Sequence, residues 1–248
     1  MIPKIIHYCW FGGNPLPELA VKCIESWKKY FPDYEIKEWN ESNFDINVIP
    51  YTRDAYKEKK YAFVSDYARF WILYNYGGVY FDTDVEVIKS FDKILASGPF
   101  MGIERDPMFE GDNILVAPGL GLAVEEHNEI YKKVLDKYET LSYFDKEGNR
   151  IPITVCDIVT NLLLGYGLKN VKGIQKVSGI SIYPSEYFNP INPISHRIHK
   201  TRNCHSVHWY MASWVELSLK QKIISAIRNL LPERVLLWYN KRKVLKQV

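Results

Sequence analysis

Cysteine is scarce in this sequence, at 4 in 248 residues, and Cys9, Cys23, Cys156 and Cys204 form no CxxC pair and no metal-finger spacing. A chain of this length has no need of a disulfide framework, so reduced thiols and a cytoplasmic compartment are expected. Glycine and proline, 14 and 13, stay near ordinary usage, which excludes collagen-like and low-complexity disordered chains. No apolar run approaches the roughly 18 residues of a spanning helix; Phe70–Tyr74 and Val235–Tyr239 are short. The N-terminus runs from Met1-Ile-Pro-Lys-Ile-Ile into Gly12-Gly13 without a long apolar region or small-residue cleavage site, so no signal peptide is expected. There is no Gly-x-Gly-x-x-Gly after the first strand and no Gly-Lys-Ser/Thr loop, which removes support for dinucleotide and P-loop sites. No internal repeat or low-complexity linker is present.

What is present is a chain 47% hydrophobic and 15% aromatic, enough for a sizeable core. Its net charge of +3 is unevenly divided. Residues 216–248 hold eight of the 32 Lys/Arg against Glu216 and Glu233, leaving 24 basic and 27 acidic residues in the rest. A mildly acidic body at 1–215 with a basic tail at 216–248 points the tail toward something anionic. Ile223, Ile224, Ile227, Leu230 and Leu231 form a helical stripe that Pro232 interrupts, and Trp238 and Tyr239 precede Lys241-Arg-Lys243. Such a segment suits an anionic membrane interface, each basic group near the leaflet being worth about 1 kcal/mol. A terminal helix packed on the body is the alternative. Nucleic acid is not expected as a partner, because no recognised binding module accompanies the tail.

Along the body, residues 4–11 read as a buried strand ended by Gly12-Gly13. Asn14 is the expected N-cap of a helix at 16–31, and Tyr34–Trp39 alternates as a second strand. This βαβ unit opens an α/β sheet. A second helix is expected at 62–76, ending at Gly77-Gly78, and Val79–Val87 is the strongest strand candidate. Later helices are expected at 128–141 and 157–166, and a late strand at 204–209.

In an extended segment, residues two apart project the same way, so Asp82 and Asp84 pair two hard oxygen ligands on one face. They sit at the end of an apolar strand, where open α/β sheets bind ligands. Mg²⁺ and Mn²⁺ favour such carboxylates, and the ion neutralises charge on a departing diphosphate. Alone, Asp-x-Asp is a weak signal that reads more readily as a solvated edge; its neighbourhood is what raises it. Upstream, Asp66 and Arg69 share a helix face. They read either as a surface ion pair or as a polar clamp for a sugar, the carboxylate accepting hydroxyl hydrogen bonds while the guanidinium donates.

Four blocks in this order, Ile6-His-Tyr-Cys-Trp-Phe-Gly-Gly13, Phe63-Val-Ser-Asp-Tyr-Ala-Arg69, Tyr76-Gly-Gly-Val-Tyr-Phe-Asp-Thr-Asp84 and His208…Ser213-Trp214, resemble bacterial glycosyltransferases of family 32. These are capsular-polysaccharide and mannosyltransferase-like enzymes with a DXD sugar-binding region. The set is more distantly similar to the catalytic domains of the large clostridial glucosylating toxins. The resemblance is strongest over 3–105 and returns at 176–214; 106–175 match loosely and the tail lies outside it.

The resemblance implies a GT-A type, Rossmann-like single domain with a mainly parallel central sheet and a C-terminal helical extension. It implies a UDP- or GDP-sugar donor, Mn²⁺ or Mg²⁺, and a surface-polysaccharide, O-antigen or lipid-linked acceptor. Asp84 falls on the direct metal ligand and Asp82 on a carboxylate contacting metal, ribose or donor sugar. Asp66 and Arg69 fall on the donor-sugar clamp, and Trp10 on an aromatic stacked on the base, a plain core tryptophan being its alternative. Val207–Trp214 resembles a segment reading His-His-Trp-Ala-Gly-Ser-Trp, with Trp209 and Tyr210 replacing its second histidine and following tryptophan. His208 is therefore the expected late metal or diphosphate ligand, and Ser213 and Trp214 the residues closing over the diphosphate. Retention of anomeric configuration is implied, with no general base named. Asp112 and Asn113 are candidates to approach the sugar from its other face. His7 and His205 are expected to be structural. A peripheral position on the inner membrane face follows if the tail binds lipid. The competing classes are a phosphohydrolase of the haloacid-dehalogenase type, for which Phe81-Asp-Thr-Asp-Val85 resembles the nucleophile strand, and a catalytically inactive sugar-nucleotide-binding protein.

Overall fold

The computed structural model describes residues 1–107, 113–192, 194–195, 197–211 and 231–236. Strand β1 (Ile5–Cys9) leads through Gly12-Gly13 into α1 (Glu18–Tyr30) and back into β2 (Glu35–Trp39). β2 and β3 (Gly78–Tyr80) both pair parallel to β1, one on each side. Between them the chain forms α2 (Pro50–Lys57) and α3 (Tyr61–Tyr76). β4 (Val85–Val87) leaves the main sheet, and α4 (Asp92–Ala96) follows. β5 (Phe100–Arg105), β6 (Leu115–Val116), the 3₁₀ turn Pro118–Leu120 and β7 (Leu122–Val124) return to the sheet. Helices α5 (Glu129–Glu139) and α6 (Val155–Gly165) precede β8 (Gln175–Val177), β9 (Ile180–Tyr183), the single turn α7 (Ser185–Phe188) and β10 (Ser206–His208).

The main sheet runs β2-β1-β3-β7-β5-β9-β8, with β6 beside the end of β5. β7 pairs antiparallel to both β3 and β5, and β9 pairs parallel to β5. β1, β2, β3, β5 and β9 therefore all point the same way, the mostly parallel sheet expected from the sequence. Alternation sorts its side chains between two cores. Cys9, Tyr80, Met101 and Leu122 join α2, α3, α5 and α6 on one face. Ile6, Tyr8, Val79 and Phe100 join Trp27, Phe31, Phe91 and Phe188 on the other.

Two expectations need correcting, and one helix went unread. Asn14 does not cap α1: Pro17 stands at the N-cap position with no side-chain cap bond, and the Asn14 carbonyl instead accepts from the Trp10 indole at 2.6 Å. Helix α2 was not read from the sequence, although Pro50 at its first turn is a common helix start. Most consequentially, Val79–Val87 is not one strand. The Val85 amide donates to the Asp82 carbonyl at 3.0 Å, so the chain turns at Asp82–Asp84 and then joins a separate ribbon, β4 with β10. All four cysteines are free, three of them buried.

Candidate active site

α3 ends at Gly77-Gly78 because only glycine fits there. Gly77 has φ 59° and ψ −158°, a region essentially closed to other residues, and Gly78 has φ 98°. A Cβ on Gly78 would also lie 2.7 Å from the Ile5 carbonyl oxygen. This sharp reversal lays α3 against β1 and β3, so a helix face and a strand end meet. His7 braces the corner: the Trp39 indole donates to its Nδ1 at 3.0 Å, which leaves Nε2 to donate to the Gly77 carbonyl at 3.0 Å. Burial lowers its pKa to about 4, so it is neutral and structural, as is His205, bonded through Nδ1 to the Ser90 carbonyl.

At the meeting point stands Arg69, only 4% exposed. Its Nε donates to the Ser65 carbonyl at 3.1 Å, and Nη2 lies 2.9 Å from Asp66 Oδ1 and 3.3 Å from Asp82 Oδ1. Nη1 reaches Asp82 Oδ2 at 3.3 Å, and the Tyr80 hydroxyl donates to Asp82 Oδ1 at 3.0 Å. Asp66 and Arg69 are thus a buried pair tied to the acidic turn rather than a surface ion pair. Burial pushes the Asp66 carboxyl up to about 7, against the pull of Arg69 and with Asp82 adding to it. Burial opposes the Arg69 charge, but Asp82, Tyr80 and Asp66 around it raise its pKa well above the ordinary value.

The second half of the site comes from the far end of the chain. β10 pairs antiparallel with β4 so that His208 stands opposite Val85, and the Trp209 amide donates to the Asp84 carbonyl at 2.9 Å. His208 Nε2 then lies 3.0 Å from Asp84 Oδ1, and the Met211 amide donates to Asp84 Oδ2 at 2.8 Å. Burial works against ionisation of Asp84, but His208 and the Met211 amide outweigh it and hold the carboxyl below its usual range. Burial also lowers His208, yet Asp84 leaves it raised overall.

Ligand atoms of Asp82, Asp84 and His208 all lie within 4.8 Å of one another. Two carboxylates and an imidazole, hard oxygen donors joined by a nitrogen donor, fit a divalent metal ion. His208 Nδ1 is buried and has no hydrogen-bond partner among the described residues, so this ring is held for a role beyond packing. The carboxylates come together through the turn and through His208, not through strand alternation.

Trp10 leaves the end of β1 beside the end of β3, half-buried and pinned by its bond to Asn14, at the same edge of the sheet as Asp82. Asn113 does not join the group: it is exposed, two residues before β6, and no bond among the described residues connects it to the cluster. Asp112, Ser213 and Trp214 lie outside the described residues, as do most of 216–248. Sequence reasoning missed Tyr80, Gly119 and the Met211 amide. Gly119 has a readable signal in Pro118-Gly-Leu-Gly121: a Cβ there would lie 2.1 Å from Asp82 Oδ2. The aspartates also follow the third strand of the main sheet, away from the first-strand position that the phosphohydrolase reading requires.

A mostly parallel α/β sheet carrying an Asp-x-Asp turn at the C-terminal edge of its strands is the architecture of the GT-A glycosyltransferases. Residues 17–101, about a third of the chain, match the family described as "Glycosyltransferase sugar-binding region containing DXD motif". Inositol phosphoceramide mannosyltransferase 3 of Schizosaccharomyces pombe is 36% identical over 98 residues, 38% of this chain and 27% of that protein. A toxin of Photorhabdus asymbiotica is 25% identical over 222 residues, 75% of this chain and 7% of the toxin. The solved PaToxG glycosyltransferase is similar in fold, with a TM-score of 0.50 and 22% identity over 66% of this chain and 69% of that one. The chain spans only about a quarter of the mannosyltransferase and far less of the toxin.

Proposed function

We propose that the chain is a metal-dependent, retaining glycosyltransferase that moves a sugar from a UDP- or GDP-linked donor to a surface-polysaccharide or lipid-linked oligosaccharide acceptor. One observation carries the reading: a buried carboxylate–guanidinium clamp and an Asp-Asp-His cation site share the side chain of Asp82.

On this reading Asp82, Asp84 and His208 hold the divalent ion, Mn²⁺ or Mg²⁺, which supplies positive charge toward the diphosphate that leaves. Asp66 accepts hydrogen bonds from donor-sugar hydroxyls. Arg69, its guanidinium fixed by three partners, keeps Asp66 and Asp82 in one geometry and offers no freedom for either to drift. Trp10 stacks on the base from the adjoining strand end. Ser213 and Trp214 close over the diphosphate and exclude water. No side chain is given the role of general base.

The mannosyltransferase activity named for the Schizosaccharomyces relative favours a mannosyl donor and a lipid-borne acceptor. The basic segment 216–248 would place the body, 1–215, at the inner face of the cell membrane. Incubating the protein with a panel of UDP- and GDP-sugars, with and without Mn²⁺, tests the activity by product mass spectrometry. Metal-dependent donor hydrolysis or transfer is expected; folded protein that consumes no donor under any condition overturns the proposal. Flotation with anionic vesicles tests the tail, which should lose binding when Lys241, Arg242 and Lys243 are changed to glutamate in the full chain; unchanged flotation removes the membrane assignment.

A further inference from the structure

Beyond the cation site, at the same edge of the sheet, the ends of β5 and β9 line an open cavity of about 460 Å³. That size lies within the roughly 300–1,000 Å³ of small-molecule sites. Its walls carry Glu104, Asp106, Ser185, Asn189, Lys172 and His199. Acidic and basic groups are both represented, so the cavity favours neither a cation nor an anion. Its wall is a set of hydrogen-bonding groups of mixed polarity, which suits a neutral ligand rich in hydroxyls, since each hydroxyl both donates and accepts.

Two wall residues are short of donors. Asp106 accepts through Oδ2 from the Ser185 amide at 3.1 Å and the Ser185 hydroxyl at 2.5 Å, while its Oδ1 is buried with no partner among the described residues. Asn189, 5% exposed, donates through Nδ2 to the Glu104 carbonyl at 3.1 Å and to the Tyr210 hydroxyl at 2.7 Å, and its Oδ1 is likewise unpartnered. An unsatisfied buried acceptor costs about 1–3 kcal/mol, so each of these two oxygens, closed off from solvent on residues that line the cavity, would gain from a ligand hydroxyl once its side chain turns toward it.

The wall also touches the cation site. The Tyr210 ring that Asn189 holds stands edge-on to the His208 ring at a centroid distance of 4.2 Å. From the far rim, His199 meets Glu233 of the C-terminal segment at 2.8 Å, with Ser195 donating to the same carboxylate at 2.5 Å. The cavity is thus bounded by the reaction site on one side and by the tail on the other.

We propose that this cavity is the acceptor subsite, taking the terminal neutral sugar unit of the acceptor glycan, with Asp106 and Asn189 as its hydroxyl-reading residues. The proposal rests on the glycosyltransferase reading of the neighbouring site but is tested apart from it. Saturation-transfer NMR on the full chain without donor or metal, using methyl glycosides of glucose, galactose and mannose at millimolar concentration, should show contact with at least one probe. Asp106→Asn should weaken it about tenfold, and Thr201→Trp, which fills the exposed rim, should do the same without touching the interior. In turnover assays with that probe as acceptor, both variants should raise its KM about tenfold while the donor KM stays within about twofold. Absence of saturation transfer from every probe, or unchanged affinity in both variants, overturns the subsite. Loss of donor hydrolysis in the unaltered protein, with sugar contact retained, would strike the glycosyltransferase reading alone.

Discussion

Replacing Gly119 by alanine isolates the geometry of the acidic turn from its chemistry. The added Cβ would stand 2.1 Å from Asp82 Oδ2, 3.1 Å from its Cγ and 3.3 Å from Arg69 Nη1. Ordinary carbon–oxygen contact requires more than an extra ångström, so the Asp82 carboxylate must swing away. Its bonds to Arg69, already at 3.3 Å, and to the Tyr80 hydroxyl at 3.0 Å must lengthen with it. A displacement near 1 Å in a positioned group lowers turnover by about 10²-fold, and the crowding itself costs about 1–3 kcal/mol of stability. Gly165 serves as the control, because a Cβ there meets nothing within 4 Å and the residue closes α6. Gly165→Ala should be neutral or stabilise by up to about 1 kcal/mol. The assays are donor hydrolysis, Mn²⁺ binding followed by electron paramagnetic resonance, and thermal melting of both variants. Unaltered hydrolysis and Mn²⁺ affinity in Gly119→Ala would refute the claim that Asp82 must sit where the turn holds it.

Other expectations follow from the same contacts. Asp84→Asn should abolish the rise in melting temperature that Mn²⁺ gives the unaltered protein, read by scanning fluorimetry with and without the ion, because Asp84 is one of only two carboxylates in the described cluster. Arg69→Met removes a buried cation and leaves the partly buried carboxylates of Asp66 and Asp82 without it; this should cost about 2–4 kcal/mol in urea unfolding, whereas a surface pair would cost under about 1 kcal/mol. His7 carries a pH dependence of stability. Its folded pKa of about 4 lies below the ordinary 6.5, so the unfolded chain binds the extra proton between those values and stability falls as pH drops through that window. The loss approaches roughly 3 kcal/mol near pH 4 at 1.36 kcal/mol per pKa unit, and urea unfolding of His7→Gln at pH 7 and pH 4.5 should show a smaller pH difference than the unaltered protein.

The sequence made the first half of the molecule readable where local chemistry and tertiary structure agree. β1, α1, β2 and α3 all follow from apolar periodicity, and Gly77-Gly78 marks its corner because no other residue fits that backbone. The Asp66–Arg69 pair was visible from helical spacing, but its burial was not, since that depends on Asp82 arriving from another element. The turn at Asp82–Asp84 was hidden by a run, Val79–Val87, whose alternation looks like one strand. What breaks it is the pull of β10, a partner far along the chain that no local pattern announces. α6 begins at a capping box, Thr154 with Asp157, which the sequence displays and which sets its start two residues earlier than periodicity suggested. Gly119 and the Met211 amide belong to the site through backbone approach, and backbone groups carry no signature in residue type.

Because β2 and β3 are both zipped to β1, and because Asp84 takes its imidazole from residue 208, the segment that carries the Asp-x-Asp signature cannot be cut out as a freestanding unit. Residues 17–101 hold both aspartates but neither the strand that seats them nor the ring that steadies them. Swapping that segment into another scaffold would transplant the emblem of the site and leave its supports behind.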